Sequence, residues 1–60
     1  MTTFNFSSIE SMEAAIERKL DEGFKVYRQT ETLVDVYAYG LHVYFHKDTL
    51  IATVGFADCM

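Results

Sequence analysis

The sequence predicts an α+β fold: one N-terminal amphipathic helix packed on one face of a four-stranded antiparallel meander, with a short N-terminal edge strand as an open addition. Three observations predict it. A capping signal at Ser7–Glu10 opens an apolar stripe of helical spacing, and after Gly23 the period falls to two and stays there almost to the end. The sixty residues also contain no Pro and only three Gly, so the connections are expected to be short. A chain of this length is one domain, 1–60, read as complete, and buries only about 60% of the surface it exposes when unfolded.

Thr2 to Phe6 alternates weakly through Phe4 and Phe6, which fits either a short edge strand or a packed arm. In Ser7-Ser8-Ile9-Glu10, Ser7 is expected to accept from the Glu10 amide while the Glu10 side chain reaches back, so a helix starts at Ser8. Ile9, Met12, Ile16 and Leu20 recur at spacings of three, four and four and form the core-facing stripe, with Ala15 beside it. Gly23 stands where a left-handed residue commonly ends a helix, although Asp21 and Glu22 oppose the helix dipole there.

Four strands fit the remainder: Phe24 to Gln29, Leu33 to Ala38, Leu41 to His46, and Thr49 to Phe56. Val34, Val36 and Ala38 make one apolar alternate set and Leu41, Val43 and Phe45 the next, so parity flips at Tyr39-Gly40. A two-residue turn there produces the flip and sets Ala38 opposite Leu41, Val36 opposite Val43 and Val34 opposite Phe45. Tyr-Gly is not a favoured pair for such turns, and a bulge in one long bent strand is the alternative. A second two-residue turn at Lys47-Asp48 pairs Phe45 with Leu50, Val43 with Ala52 and Leu41 with Val54.

A single helix covers one side of the sheet and leaves the other open. The register that turns valines inward turns Lys25, Tyr27, Asp35, Tyr37, His42, Tyr44, His46, Ile51 and Thr53 outward, with Tyr37 opposite His42, Asp35 opposite Tyr44 and Tyr44 opposite Ile51. Tyrosine suits strands for its propensity alone, and that accounts for the stripe without any partner. It is also enriched at binding surfaces, where it offers rigid area and a hydroxyl. The binding residues expected on this face are Tyr27, Tyr37, His42, Tyr44, His46 and Ile51. Glu13 and Glu17 join them from the acidic helix face, where Glu10, Glu13, Glu17, Asp21 and Glu22 outnumber Arg18 and Lys19. Such a face is ordinarily a solvated surface; it also steers a domain toward a basic partner.

Chemical motifs are sparse. His42 and His46 are four residues apart on a strand, roughly 13 Å, too far to share one ion, so no metal site is expected. No acid–base pair is fixed by spacing, because Asp35 is expected opposite Tyr44. Cys59 lies at the C-terminus with no base or oxyanion hole in view, and as the lone cysteine it fits a reducing, cytoplasmic setting. The scattered glycines make no phosphate-cradling loop. No catalytic residue and no cofactor is assigned, and the chain is read as a non-enzyme. The N-terminus lacks a basic and then apolar leader, and no run approaches the ~18 apolar residues of a membrane span. A net charge of −4 with five Lys and Arg opposes phosphate backbones. Aromatic sheet faces do serve RNA-binding modules, but those add basic side chains and two helices, which this reading does not supply.

In size, acidity and lack of catalytic motifs the chain is similar in type to the small proteins that tailed phages make to bind and inhibit host enzymes; no motif carries the likeness. The expected function is a non-enzymatic protein-interaction module, a small acidic inhibitor or adaptor of the phage host-takeover or anti-defence type, acting in the cytoplasm (the host's, if phage-encoded) as a homodimer or higher oligomer. The alternative is an oligomeric protein that binds or sequesters a small nucleotide-like metabolite, wrapping Tyr37, Tyr44, His42 and His46 around it with Lys25 and Arg28 nearby.

Overall fold

A computed structural model of the chain describes residues 2–56. The elements in chain order are β1 (Thr2–Asn5), α1 (Ile9–Asp21), β2 (Lys25–Gln29), β3 (Leu33–Ala38), β4 (Leu41–His46) and β5 (Ile51–Phe56). All five strands form one antiparallel sheet in the order β1-β5-β4-β3-β2, so β2 to β5 are the expected meander and residues 2–5 are an edge strand rather than a loose arm. Cys59 lies outside the described residues.

The helix starts one residue later than expected. Phe6 still belongs to the β ladder, its amide donating to the Leu50 carbonyl at 2.9 Å, so the chain turns at Ser7-Ser8. Ser8, in extended conformation, is the N-cap, and its Oγ accepts from the Ser11 amide at 3.1 Å. The reciprocal Ser7–Glu10 capping box is therefore replaced by a single Ser8 cap. At the other end the Gly23 amide donates to Leu20 O and the Phe24 amide to Lys19 O, both at 3.1 Å, with Gly23 at φ +110°. That is a Schellman motif, which satisfies the terminal carbonyls despite the two acids nearby.

Met12 and Ile16 join Val34, Val36, Val43, Phe45 and Ala52 in the core, while the ends of the helical stripe, Ile9 and Leu20, stand at the rim. Geometry explains the shortfall: a helix about 10 Å across covers roughly two strands at ~4.8 Å spacing, and this sheet has five. A groove is left on each flank of α1, mixed in character on the β2 side and apolar on the β1–β5 side. One, of about 260 Å³, is lined by Glu13, Ile16, Glu17, Leu20, Val26 and Lys47 among others; the second, of about 340 Å³, runs between α1 and the β1–β5 side past Phe4, Phe24, Leu41 and Val54.

The β3–β4 register agrees with expectation at every pair from Leu33↔His46 to Ala38↔Leu41. Tyr39 and Gly40 both have positive φ, 55° and 76°, so the connection is a two-residue primed turn and the long-bent-strand alternative falls away. The next hairpin differs. Residues 47–50 form a four-residue loop, closed by the Leu50 amide donating to His46 O at 2.9 Å, with Leu50 at φ 61°. The pairs are therefore Phe45↔Ala52, Val43↔Val54 and Leu41↔Phe56, two residues away from the expected ones, and β5 begins at Ile51 rather than Thr49. Because the shift is even, every side chain keeps its face. Tyr44 consequently opposes Thr53, and Ile51 opposes His46 instead of Tyr44.

β2 departs more consequentially. Val26 pairs with Val36, but Arg28 rather than Tyr27 pairs with Asp35, leaving Tyr27 as a bulge residue. Past the bulge parity reverses, so Arg28 shares the outer face and Gln29 turns toward the groove beside α1.

Candidate functional site

The outer sheet face gathers Tyr27, Tyr37, His42 and Tyr44 into one array. Register places Tyr37 opposite His42, and their ring centroids lie 4.7 Å apart. The bulge carries Tyr27 over the same imidazole, edge to face at 5.0 Å, and beside Tyr37 at 6.0 Å. Tyr44 lies on the far side of His42, nearly parallel to it at 5.6 Å, above Gly55, where an added Cβ would come to 3.6 Å of its ring. His42 is thus the hub, with three tyrosine rings packed around it.

Beneath the rings lies a charge that the sequence reading leaves unpaired. Asp35 points to the outer face, as expected, yet it is only 2% exposed. His42 Nδ1–H donates to Asp35 Oδ1 at 2.9 Å. A carboxylate only accepts, so Nδ1 carries the proton and the ring orientation is set. Direct opposition does not fix this pair, since Asp35 does stand opposite Tyr44 as expected. Asp35 and His42 are diagonal neighbours across β3 and β4, about 7–8 Å apart in backbone terms and within reach of an imidazole, and the register itself contained that signal. Among the described residues no hydroxyl is hydrogen-bonded to His42, and the pair acts in this structure to orient the ring. Among them, too, no group of three or more His, Cys, Asp or Glu side chains converges in a way that could hold a metal ion.

The remaining expected residues fall in two places. His46 and Ile51 are cross-strand partners on the outer face, at the end of β4, beyond the four-ring array. Glu13 and Glu17 belong to the other layer, where both line the groove between α1 and β2 near Lys47. The eight expected binding residues therefore form an aromatic set on the open face and an acidic pair on the helix side. Arg28, expected only as a nearby charge for a bound metabolite, is brought by the bulge to the outer face that Lys25 also occupies. By register, Lys25 and Arg28 share the sheet face that carries the aromatic rings.

No protein-family model, curated protein or solved structure matches the chain. The chemistry of the site rests on its own geometry. Among the described residues no helix is long and apolar enough to cross a membrane.

Proposed function

We propose that the chain is a non-enzymatic protein-interaction module, a small acidic inhibitor or adaptor that grips its partner through the open sheet face. One observation carries the reading: Tyr27 and Tyr37 stand 63% and 39% exposed on top of an array whose base is a buried Asp35 and a partly buried His42. Rings held by their neighbours lose little freedom on binding, which is what makes exposed aromatic anchors efficient. Both helix-flanking grooves lie on the other side of the sheet, so this face offers a platform suited to a broad surface. The net charge of −4 and the acidic helix favour steering toward a basic partner, in the manner of the small inhibitors that phages direct at host enzymes.

A second reading draws support from Arg28 and Lys25, which place cations beside the rings as a phosphorylated planar metabolite requires. Capture from native host cells with the immobilised parent and a Tyr27→Ala/Tyr37→Ala variant, alongside native mass spectrometry of the purified chain, separates the two. A protein retained by the parent and lost by the variant supports the module. A small mass retained by the parent, with no tyrosine-dependent protein, overturns it in favour of the metabolite reading.

A further inference from the structure

Among the described residues the sheet has two open edges, and they are built differently. β2 is irregular, bulged at Tyr27, and carries Lys25 and Arg28, features that discourage another strand from pairing there. β1 reads Thr-Thr-Phe-Asn: no charge, no Pro, and four consecutive unbroken pairs with β5.

The hydrogen-bond phase of that edge follows from one contact. The Phe6 amide donates to Leu50 O, and antiparallel ladders alternate, so Thr2, Phe4 and Phe6 direct their backbone groups toward β5. Thr3 and Asn5 then direct N–H and C=O away from the sheet. On the helix side, Phe4 is 51% exposed and lines the apolar groove of about 340 Å³ that α1 leaves over β1 and β5.

We propose that β1 is a self-docking edge, at which two copies of this chain pair antiparallel about a two-fold axis passing beside Phe4. In that register Thr3 of one copy opposes Asn5 of the other, and each pair exchanges both of its outward hydrogen bonds. Phe4 opposes its own symmetry mate at the intervening position, where the backbones approach most closely and aromatic pairs gain most. Both rings lie on the helix side, against the groove that one helix is too narrow to close. A register slipped by one residue would set an inward Phe4 against an outward threonine or asparagine, so parity excludes it. The second copy meets a need: a sixty-residue chain with a partly covered core gains stability by pairing. The assembly is one continuous sheet with both aromatic arrays on the same side, a bivalent surface for a repeated or dimeric partner.

Sedimentation equilibrium of the full chain across the micromolar range, with amide hydrogen exchange, tests the proposal. The parent is expected at twice the mass of one chain, with the Thr3 and Asn5 amides exchanging more slowly as concentration rises. Thr3→Pro removes only an outward N–H, and Asn5→Lys sets a charge at the edge; each should weaken the dimer at least about tenfold without changing the circular dichroism spectrum. Tyr44→Glu, on the outer face, should leave it intact. A monomeric parent, exchange at Thr3 and Asn5 that ignores concentration, or a dimer that survives Asn5→Lys but dissociates with Tyr44→Glu would overturn the proposal, whether or not Thr3→Pro folds.

Discussion

Asp35 on β3 and His42 on β4 are diagonal neighbours, and the carboxylate of the first accepts a 2.9 Å hydrogen bond from the imidazole of the second beneath the rings of Tyr27, Tyr37 and Tyr44. A nearly buried carboxylate on the side of a sheet that no helix covers is expensive unless paired. Here the partner is also the hub on which the tyrosines rest, so one polar contact fixes the geometry of the whole face.

Asp35→Ala should therefore destabilise the chain by about 1–3 kcal/mol, since it leaves the Nδ1–H of the partly buried His42 without its acceptor. Asp35→Asn keeps the shape and an acceptor and should cost less. Urea denaturation gives the two values, and ring resonances of Tyr27 and Tyr37 should lose dispersion in the alanine variant. Equal stability of all three proteins would show that the pair does not hold the array.

The division of faces predicts an opposite pair of outcomes at adjacent residues. Val36 is fully buried, and Val36→Asp should abolish folding, as should Val43→Asp, because each puts an unpaired charge in the core. Tyr37→Ser, one position along on the open side, should leave the fold largely intact. Thermal melts by circular dichroism in which Tyr37→Ser is as damaging as Val36→Asp would contradict the assignment.

Much of this was legible in the residues, and what was not has local causes. The apolar sets Val34/Val36/Ala38 and Leu41/Val43/Phe45 carry a parity flip that only an even turn can make, and with only Tyr39 and Gly40 between them the β3–β4 register could be read directly. The same logic cannot tell a two-residue loop from a four-residue one, which is why the β4–β5 pairs lay two residues away while every face was correct. Adjacent Ser7 and Ser8 offer the same cap chemistry, and the choice depends on the Phe6–Leu50 contact between distant segments. The bulge at Tyr27 has no Gly to mark it, so simple alternation does not put Arg28 on the same face as Lys25 and Tyr27. Of the site, the aromatic membership was readable by alternation; the Asp35–His42 bond required following diagonals as well as direct pairs.

Among the described residues, two that are not glycine hold left-handed backbone, and they should respond differently. Tyr39, at φ 55°, is 83% exposed, and an edge-to-face contact with Phe24 at 6.4 Å is all the ring packing set against a conformation that asparagine tolerates better. Tyr39→Asn should stabilise the chain by about 0.5–1 kcal/mol, a rise of several degrees in Tm. Leu50, at φ 61°, is half-buried against the core, and Leu50→Asn should lower stability by about 1–2 kcal/mol because lost burial outweighs relieved strain. Differential scanning calorimetry reading the same sign for both would refute this balance.

Charge on the helix side should act on rate more than on hold. Reversing Glu13 and Glu17 to Lys is expected to slow association with a captured partner and flatten its salt dependence, with dissociation little changed, since peripheral charges steer encounter. Surface plasmon resonance at several ionic strengths separates the two rates. A change confined to dissociation would place the acidic groove inside the contact.

The most direct test of the central claim is titration calorimetry of the captured partner against the parent, Tyr27→Ala, Tyr37→Ala and Tyr44→Ala. If the open sheet face is the binding surface, affinity should concentrate in these anchors, each alanine costing about 2 kcal/mol or more while the circular dichroism spectrum is kept. Three variants that bind as the parent does would contradict the account and move the contact off the aromatic face.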